Sequence, residues 1–246
     1  MKKTLILIPS RMAATRLPGK PLLKINNLSI ISHVFKRAEE ANIGEVVVAT
    51  QDQEILDDVL KNGGRGILTN TNHKTGTDRI FEAYKKLDIK SVDYILNLQG
   101  DEPDINKDDI INLNNHMINK NTDIGTLAAI IKNSKMLNNE NIVKVVTEKK
   151  LEENNFPIAI DFSREDLSKK NKNIYHHIGI YSYKIDVLEK FISLNQTESE
   201  VKNKLEQLRA LDNKIKINVA LAKSSPIGVD TKEDYLAIKK IMEYKL

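Results

Sequence analysis

Short runs of consecutive apolar residues take turns with stretches in which apolar residues recur every three or four positions, and this rhythm organises the first half of the chain. Thr4–Pro9 (TLILIP), Glu45–Thr50 (EVVVAT), Gly66–Thr69 and Tyr94–Leu98 (YILNL) predict buried strands. Ser29–Ala41 carries Ile30, Val34 and Ala38 on one stripe and predicts a helix, as do Gln53–Asn62, which stops at Gly63-Gly64, and Thr77–Leu87. Continuously apolar strands that alternate with helices predict a parallel sheet covered on both faces.

The second half changes character. Gly125–Ile131, Val143–Thr147, Ile158–Phe162 and His177–Tyr183 predict strands separated by polar turns, some of them antiparallel. Helices are predicted at Asp186–Leu194 and Glu200–Leu211. A strand at Lys216–Ala222 leads through Gly228-Val229-Asp230 into a closing helix, Lys232–Tyr244. The Asn- and Lys-rich segments Asn114–Asp123 and Glu165–Asn173 predict surface loops or helix ends. Neither a repeat nor a linker interrupts the 246 residues. The expected fold is α/β: one domain with a mostly parallel central sheet flanked by helices and a smaller inserted antiparallel portion.

Parallel sheets of this kind bind ligands outside the carboxyl ends of their strands. The polar residues there are Ser10–Lys20, Thr50–Asp52 and Gln99–Pro103. In SRMAATRLPGKP, Arg11, Arg16 and Lys20 are three cations suited to a triphosphate, and Gly19 frees the backbone for close approach. The loop is not a Walker A motif, since G-x-x-x-x-G-K-[ST] is absent. In QGDEP, Gly100 permits a turn, and Asp101 and Glu102 suit a hard cation such as Mg²⁺; the same residues also suit a plain turn that opens a helix. Asp230 is either the cap of the last helix or a partner for Asp101. Further on, Arg164 offers a fork to an acidic ligand, and His177, Tyr181, Glu206 and Gln207 offer mixed donors and acceptors to polyol hydroxyls. Equally, His177 suits a satisfied strand histidine, and Glu206 an exposed helical charge pattern with Lys202 and Arg209.

The net charge of +4 comes from lysines scattered along the chain, and aromatic residues are only 5%, so a nucleic-acid footprint is not expected. The absence of cysteine excludes disulfides and thiolate metal sites. No stretch approaches the roughly 18 apolar residues of a membrane helix. The amino-terminal apolar run lacks the features of a secretory signal. A cytoplasmic protein without membrane insertion is expected.

The motifs SRMAATRLPGKPL, HKTGTDR (73–79), NLQGDEP (97–103), NIVKVV (141–146), FSR (162–164), HIGIYSY (177–183), LEQLRAL (205–211) and GVDTKED (228–234) stand in one order and spacing. In these the chain resembles the 3-deoxy-manno-octulosonate cytidylyltransferase (CMP-Kdo synthetase) family from Ile6 to about residue 240. The resemblance implies a Rossmann-like nucleotidyltransferase fold, with a nucleotide-binding part over about 1–130. A sugar-binding and dimerisation part over about 131–225 and a closing segment, 226–246, would follow. It implies transfer of CMP from CTP, with Mg²⁺, to the anomeric hydroxyl of 3-deoxy-D-manno-octulosonate (Kdo), an acidic eight-carbon sugar, for lipopolysaccharide biosynthesis. Arg11 and Lys20 match triphosphate-binding residues, with Arg16 in the same loop. Thr75, Gly76, Arg79 and Gln99 match the cytidine site, and Asp101 and Asp230 the magnesium ligands. Arg164, His177, Tyr181, Glu206 and Gln207 match positions that hold the sugar acid. A homodimer is implied. Thr75 stands where serine is usual, Ala14 replaces a frequent serine, His176 stands for a common arginine and Asn203 for a common glutamate. After Arg164 the residues Glu165-Asp166-Leu167-Ser168 replace an apolar, proline-containing run. The alternatives are an enzyme for 8-amino-Kdo or a sialic acid, a sugar-1-phosphate nucleotidyltransferase, or a non-catalytic nucleotide-binding module.

Overall fold

Leu5, Ile6, Leu7 and Ile8 are each at most 1% exposed, and burial on both faces makes this run the middle of a sheet rather than an edge. At about 1.5–3 kcal/mol for each such side chain, the run is a major contributor to the core. In a computed structural model that describes residues 2–13, 16–71, 73–89 and 91–244, it forms β1 (Thr4–Ser10). Ala14 lies outside the described residues. The chain divides into one unit made of residues 1–110 and 226–246 and a second made of residues 111–225.

In the first unit β1 is followed by a 3₁₀ turn, Lys20–Leu22, and by a small hairpin, β2 (Lys24–Ile25) and β3 (Leu28–Ser29). The hairpin turns on Asn26 and Asn27, both at positive φ, the arrangement that a two-residue turn matching strand twist requires. Helix α1 (Ile30–Glu40) starts at Ser29, whose side chain accepts from the Ser32 amide. Then come β4 (Gly44–Thr50), α2 (Gln53–Lys61), β5 (Gly66–Leu68), α3 (Gly76–Leu87) and β6 (Tyr94–Asn97). The strands pair in the order β6-β1-β4-β5, all parallel, as expected. Helix α4 (Lys107–Lys120) takes in most of Asn114–Asp123, a segment expected to be a surface loop or a helix end. Its asparagines mask a regular stripe, because Ile110, Leu113 and Met117 are all fully buried.

In the second unit β7 (Ile124–Ala129) precedes a short helix, α5 (Ser134–Asn138), and the strands β8 (Lys144–Thr147), β9 (Ala159–Ser163) and β10 (Ile174–Lys184). Helices α6 (Ile185–Ser193), α7 (Glu198–Asn203) and α8 (Leu208–Asp212) lead to β11 (Ile217–Leu221). Strand β7 pairs parallel with β11 and antiparallel with β10, while β8 pairs antiparallel with β10 and β9. The expected antiparallel portion is here.

The stretch Glu200–Leu211 differs from its prediction. The single helix expected over Glu200–Leu211 is two short helices, broken where Lys204 takes positive φ. The cause is electrostatic. Arg209 Nε and Nη2 lie 2.8 and 2.5 Å from the two carboxylate oxygens of Glu200, and both residues are 3% exposed. Nine residues of continuous helix would set them about 13 Å apart along the axis. The chain folds back instead, and Glu206 and Gln207 fall at the break. Of the expected helical charge pattern around Glu206, a contact of 3.6 Å to Arg209 is present.

The chain returns to the first unit in α9 (Lys232–Tyr244). Val229, Ile238 and Met242 bury themselves against Ile25 and Ile30, with Leu17, Leu23, Ile227 and Tyr235 packed around them. The Tyr235 hydroxyl donates to the Lys24 carbonyl at 2.7 Å. This small cluster brings the carboxyl-terminal segment beside the loop that follows β1. Among the described residues, no helix is long and apolar enough to cross a membrane.

Candidate active site

At the carboxyl ends of β1 and β6 lies a cavity of about 360 Å³, lined wholly by the first unit. Its walls are the loop after β1, the start of α3, the turn after β6 and Asp230. Arg11, Arg16 and Lys20 all line it.

The loop after β1 is held by its backbone. The Met12 amide donates to Asp52 Oδ2 at 2.8 Å, and the Gly19 amide donates to the Met12 carbonyl at 3.1 Å. Gly19 has φ of 73°, which a side chain rarely tolerates. Pro21 then fixes the start of the 3₁₀ turn from which Lys20 projects. Asp52 belongs to the Thr50–Asp52 segment flagged by its place after a strand. Its role as an anchor for the first loop was not legible from that placement.

Lys20 Nζ sits 2.6 Å from Asp101 Oδ2, 3.1 Å from Asp230 Oδ1 and 2.9 Å from the Val229 carbonyl oxygen. Burial opposes its charge, but Asp101 and then Asp230 outweigh it and raise its pKa above the ordinary value. Arg16 Nη2 holds the other oxygen of Asp230 at 2.8 Å. Asp230 is therefore not the cap of α9. That role falls to Thr231, whose hydroxyl accepts from the Asp234 amide at 3.2 Å while Asp234 accepts back from the Thr231 amide at 2.8 Å. Gly100 is needed because a Cβ there would lie 2.9 Å from the Pro9 carbonyl oxygen. Of the two carboxylates in QGDEP, only Asp101 lines the cavity. Glu102 turns its carboxyl inward, where burial and then the Asp101 charge push its pKa up to about 8.

Thr75 begins α3 with a reciprocal pair of bonds: its hydroxyl accepts from the Asp78 amide and its amide donates to the Asp78 carboxylate. The cavity thus meets a helix amino terminus, which favours anions. Gly76 and Arg79 line the same wall. Arg79 is only 3% exposed and spends its guanidinium on Thr69 Oγ1 at 2.6 Å and Gln51 Oε1 at 2.7 Å. Burial first and Arg11 second lower its pKa. It braces the wall from behind. Glu82 does similar work: its carboxylate accepts from the Asn70 amide and contacts His73, a cavity residue. Gln99 completes the rim.

Among the described residues, no group of three or more His, Asp or Glu side chains forms a ready metal cage. Asp101 and Asp230 nevertheless converge on one cation, the Lys20 ammonium. Two carboxylates that meet at a point suit an ion that takes its remaining ligands from phosphate and water, as Mg²⁺ does.

The remaining candidates belong to the second unit. A register shift between Ile178 and Tyr181 bulges β10 at Gly179, and Thr126 fills the bulge. Thr126 Oγ1 lies 2.7 Å from the Ile180 carbonyl oxygen and 3.0 Å from His177 Nε2. A hydroxyl has one proton, which goes to the carbonyl, so His177 Nε2 donates and Nδ1 remains an acceptor. The Tyr181 ring lies 5.4 Å from that of His177. Burial first, then Tyr183 and Glu206, raise the pKa of Tyr181, which stays a donor. Gln207 is buried, and its Nε2 has no hydrogen-bond partner among the described residues. Arg164 makes its hydrogen bond elsewhere, from Nη1 to the Glu140 carbonyl at 3.1 Å. The isolated glycine in HIGIYSY was the one sequence signal for the bulge; nothing signalled Thr126.

His177 carries a pH prediction. Burial, followed by His176, lowers its pKa from 6.5 to about 3. Below pH 6.5 the unfolded chain takes up a proton that the folded chain refuses. Stability is therefore complete above pH 6.5 and falls as pH drops toward 3, by about 1.4 kcal/mol per pH unit. Urea unfolding of His177→Gln at pH 6.5, 5.5 and 4.5 should show a shallower decline by that amount; parallel curves would refute the assignment.

A parallel sheet whose carboxyl edge gathers three cations, two convergent carboxylates and a helix amino terminus defines a nucleotidyltransferase. The comparisons agree. A family model described as cytidylyltransferase matches residues 5–217. The 3-deoxy-manno-octulosonate cytidylyltransferase of Rhodopseudomonas palustris (strain BisB18) is 43% identical over 98% of this chain and 98% of its own. The enzyme of the same name from Thermodesulfovibrio yellowstonii is 43% identical over 97% of this chain and 98% of its own. A solved structure of CMP:2-keto-3-deoxy-manno-octonic acid synthetase complexed with CTP superposes with a TM-score of 0.89, at 34% identity and full coverage of both chains. UDP-glucose pyrophosphorylase, at 14% identity, TM-score 0.74 and full coverage of both chains, shares the fold. This chain belongs to the 3-deoxy-manno-octulosonate cytidylyltransferase family.

Proposed function

We propose that the chain transfers CMP from CTP to the anomeric hydroxyl of 3-deoxy-D-manno-octulosonate, giving CMP-Kdo and pyrophosphate for lipopolysaccharide biosynthesis. The observation that carries this reading is the meeting of Lys20, Asp101 and Asp230 at one point of a cavity lined by Arg11 and Arg16. The reaction is an in-line displacement. The C2 hydroxyl oxygen forms a bond to the α-phosphorus and gives its proton to solvent, while the bond from that phosphorus to the bridging oxygen of the β-phosphate breaks and pyrophosphate leaves. Positioning and charge neutralisation supply most of the rate in such transfers.

Arg11 and Lys20 neutralise the departing pyrophosphate, with Arg16 in the same loop. Thr75 and Gly76 present the amino terminus of α3, while Arg79 and Gln99 hold the wall against which cytidine rests. Asp101 and Asp230 would hold Mg²⁺, which lowers the pKa of a bound hydroxyl and neutralises phosphate charge. Arg164 binds the sugar carboxylate. His177 Nδ1 accepts from a sugar hydroxyl, and Tyr181, Glu206 and Gln207 complete the hydroxyl contacts. The family resemblance supports a homodimer. A cytoplasmic location, without membrane insertion or nucleic acid, accords with the composition.

Pyrophosphate release tests this directly. Purified protein with Mg²⁺ is given Kdo, 8-amino-Kdo or a sialic acid, each with CTP or UTP. The reading expects turnover with CTP and Kdo to exceed every other pair by at least about tenfold, or 1.4 kcal/mol of transition-state discrimination. Preference for another sugar would move the assignment to that sugar, and no release from any pair would make this a non-catalytic nucleotide-binding module.

A further inference from the structure

Lys20 has two demands on one ammonium. On the reading above it meets the nucleotide's phosphates. In the structure its neighbours are Asp101, Asp230 and the Val229 carbonyl, at 2.6, 3.1 and 2.9 Å. An ammonium has three donors, so this arrangement leaves none for a phosphate. The same contacts place a positive charge where the two carboxylates would hold a divalent ion.

We propose that Lys20 is an internal counterion that keeps the metal site closed in the nucleotide-free protein, and that the arriving triphosphate opens it by drawing the ammonium off Asp101 and Asp230. The inference rests on the proposed function and deepens it. The resting position is built into the fold. Val229 is fully buried, and its amide donates to the Asp101 carbonyl at 2.9 Å, so both the carbonyl and the carboxylate that receive Lys20 are tied together. The Lys20 backbone is pinned by Gly19 and Pro21, while its four-carbon stem lets the tip move.

Charge balance gives the direction. At rest, Lys20 and Arg16 offset Asp101 and Asp230. A divalent ion arriving alone must displace the ammonium, and because Lys20 stays in the cavity the four side chains and the ion together carry two excess positive charges. Arriving with a triphosphate, it leaves Lys20 a new partner within the same cavity, beside Arg11 and Arg16. Metal and nucleotide therefore bind cooperatively, and by linkage each raises the other's affinity by one factor.

The test is Mn²⁺ binding to the full chain by calorimetry. Without CTP, Lys20→Met should bind Mn²⁺ at least about tenfold more tightly than the wild type, a change of about 1.4 kcal/mol. The gain should vanish in Lys20→Met/Asp101→Asn. Arg16→Met removes the same charge beside Asp230 but leaves Lys20 in place, and should gain less than about threefold, or 0.7 kcal/mol. Lys20→Gln, which keeps a donor for the Val229 carbonyl, should change in the same direction and serves if Lys20→Met does not fold. Equal gains in Arg16→Met and Lys20→Met would show a general field effect, and no gain in either Lys20 variant would show that Lys20 does not close the site; either result overturns the proposal. Wild type loaded with CTP separates this from the metal assignment. If it binds an Mn²⁺ that Asp101→Asn removes, that assignment survives the failure of the Lys20 proposal; if it does not, both fall.

Discussion

Asp101→Asn is expected to reduce CMP transfer by about 10³-fold or more while weakening CTP binding less than about tenfold. The asymmetry follows from the geometry. Asp101 touches Lys20 at 2.6 Å and shares it with Asp230, so the fold of the cavity survives its neutralisation. Arg11, Arg16 and Lys20 still line the cavity. On the proposed function, what disappears is half of the two-carboxylate site that would hold Mg²⁺, and with it the neutralisation of charge during bond exchange. Single-turnover rates and CTP titration on the same preparation separate the two effects. Turnover within tenfold of the wild type would remove Asp101 from the chemistry.

The second large effect concerns stability. Arg209→Met should destabilise the protein by about 3–5 kcal/mol, because it strands Glu200 as an uncompensated buried carboxylate. Burial pushes the Glu200 pKa up, but the bonds from Arg209 and Gln196 prevail and lower it below 4.5. The pair thus stabilises the fold fully above pH 4.5, and its contribution fades as pH falls through the lower, folded value. Urea unfolding at pH 7 measures the loss, and Glu200→Gln/Arg209→Met should lose less than the sum of the single changes. A loss under about 1 kcal/mol in Arg209→Met would mean that the pair does not shape the turn. Glu206 and Gln207 lie in that turn, so on the proposed function the sugar's KM should rise as well.

The parts of this molecule that were legible in the sequence are those set by local periodicity. The strands and helices from Thr4 to Asn97 follow from apolar runs and stripes, and their parallel pairing follows from the alternation. Lys20 and Asp101 were legible as site residues because each stands just beyond a strand's carboxyl end. Asp230 stood with two readings, a helix cap or a partner for Asp101, since a carboxylate before a helix suits both. Only the packing of Val229, Ile238 and Met242 on Ile25 and Ile30 decides that it faces Lys20. The break at Lys204 escaped for a related reason. The bond from Arg209 back to Glu200 is a long-range preference that overrides two segments of good local helix. Glu82 and Thr126 were missed, and Asp52 was flagged without its anchoring role, because each acts through another residue's backbone or ring, and no spacing records that.

Anomalous diffraction from crystals grown with CTP and Mn²⁺ would locate the ion. We expect it bonded to both Asp101 and Asp230 and touching the α-phosphate, with Lys20 moved onto the phosphates. An ion held elsewhere, with Lys20 still seated between the two aspartates beneath a bound triphosphate, would overturn the shared-ion site.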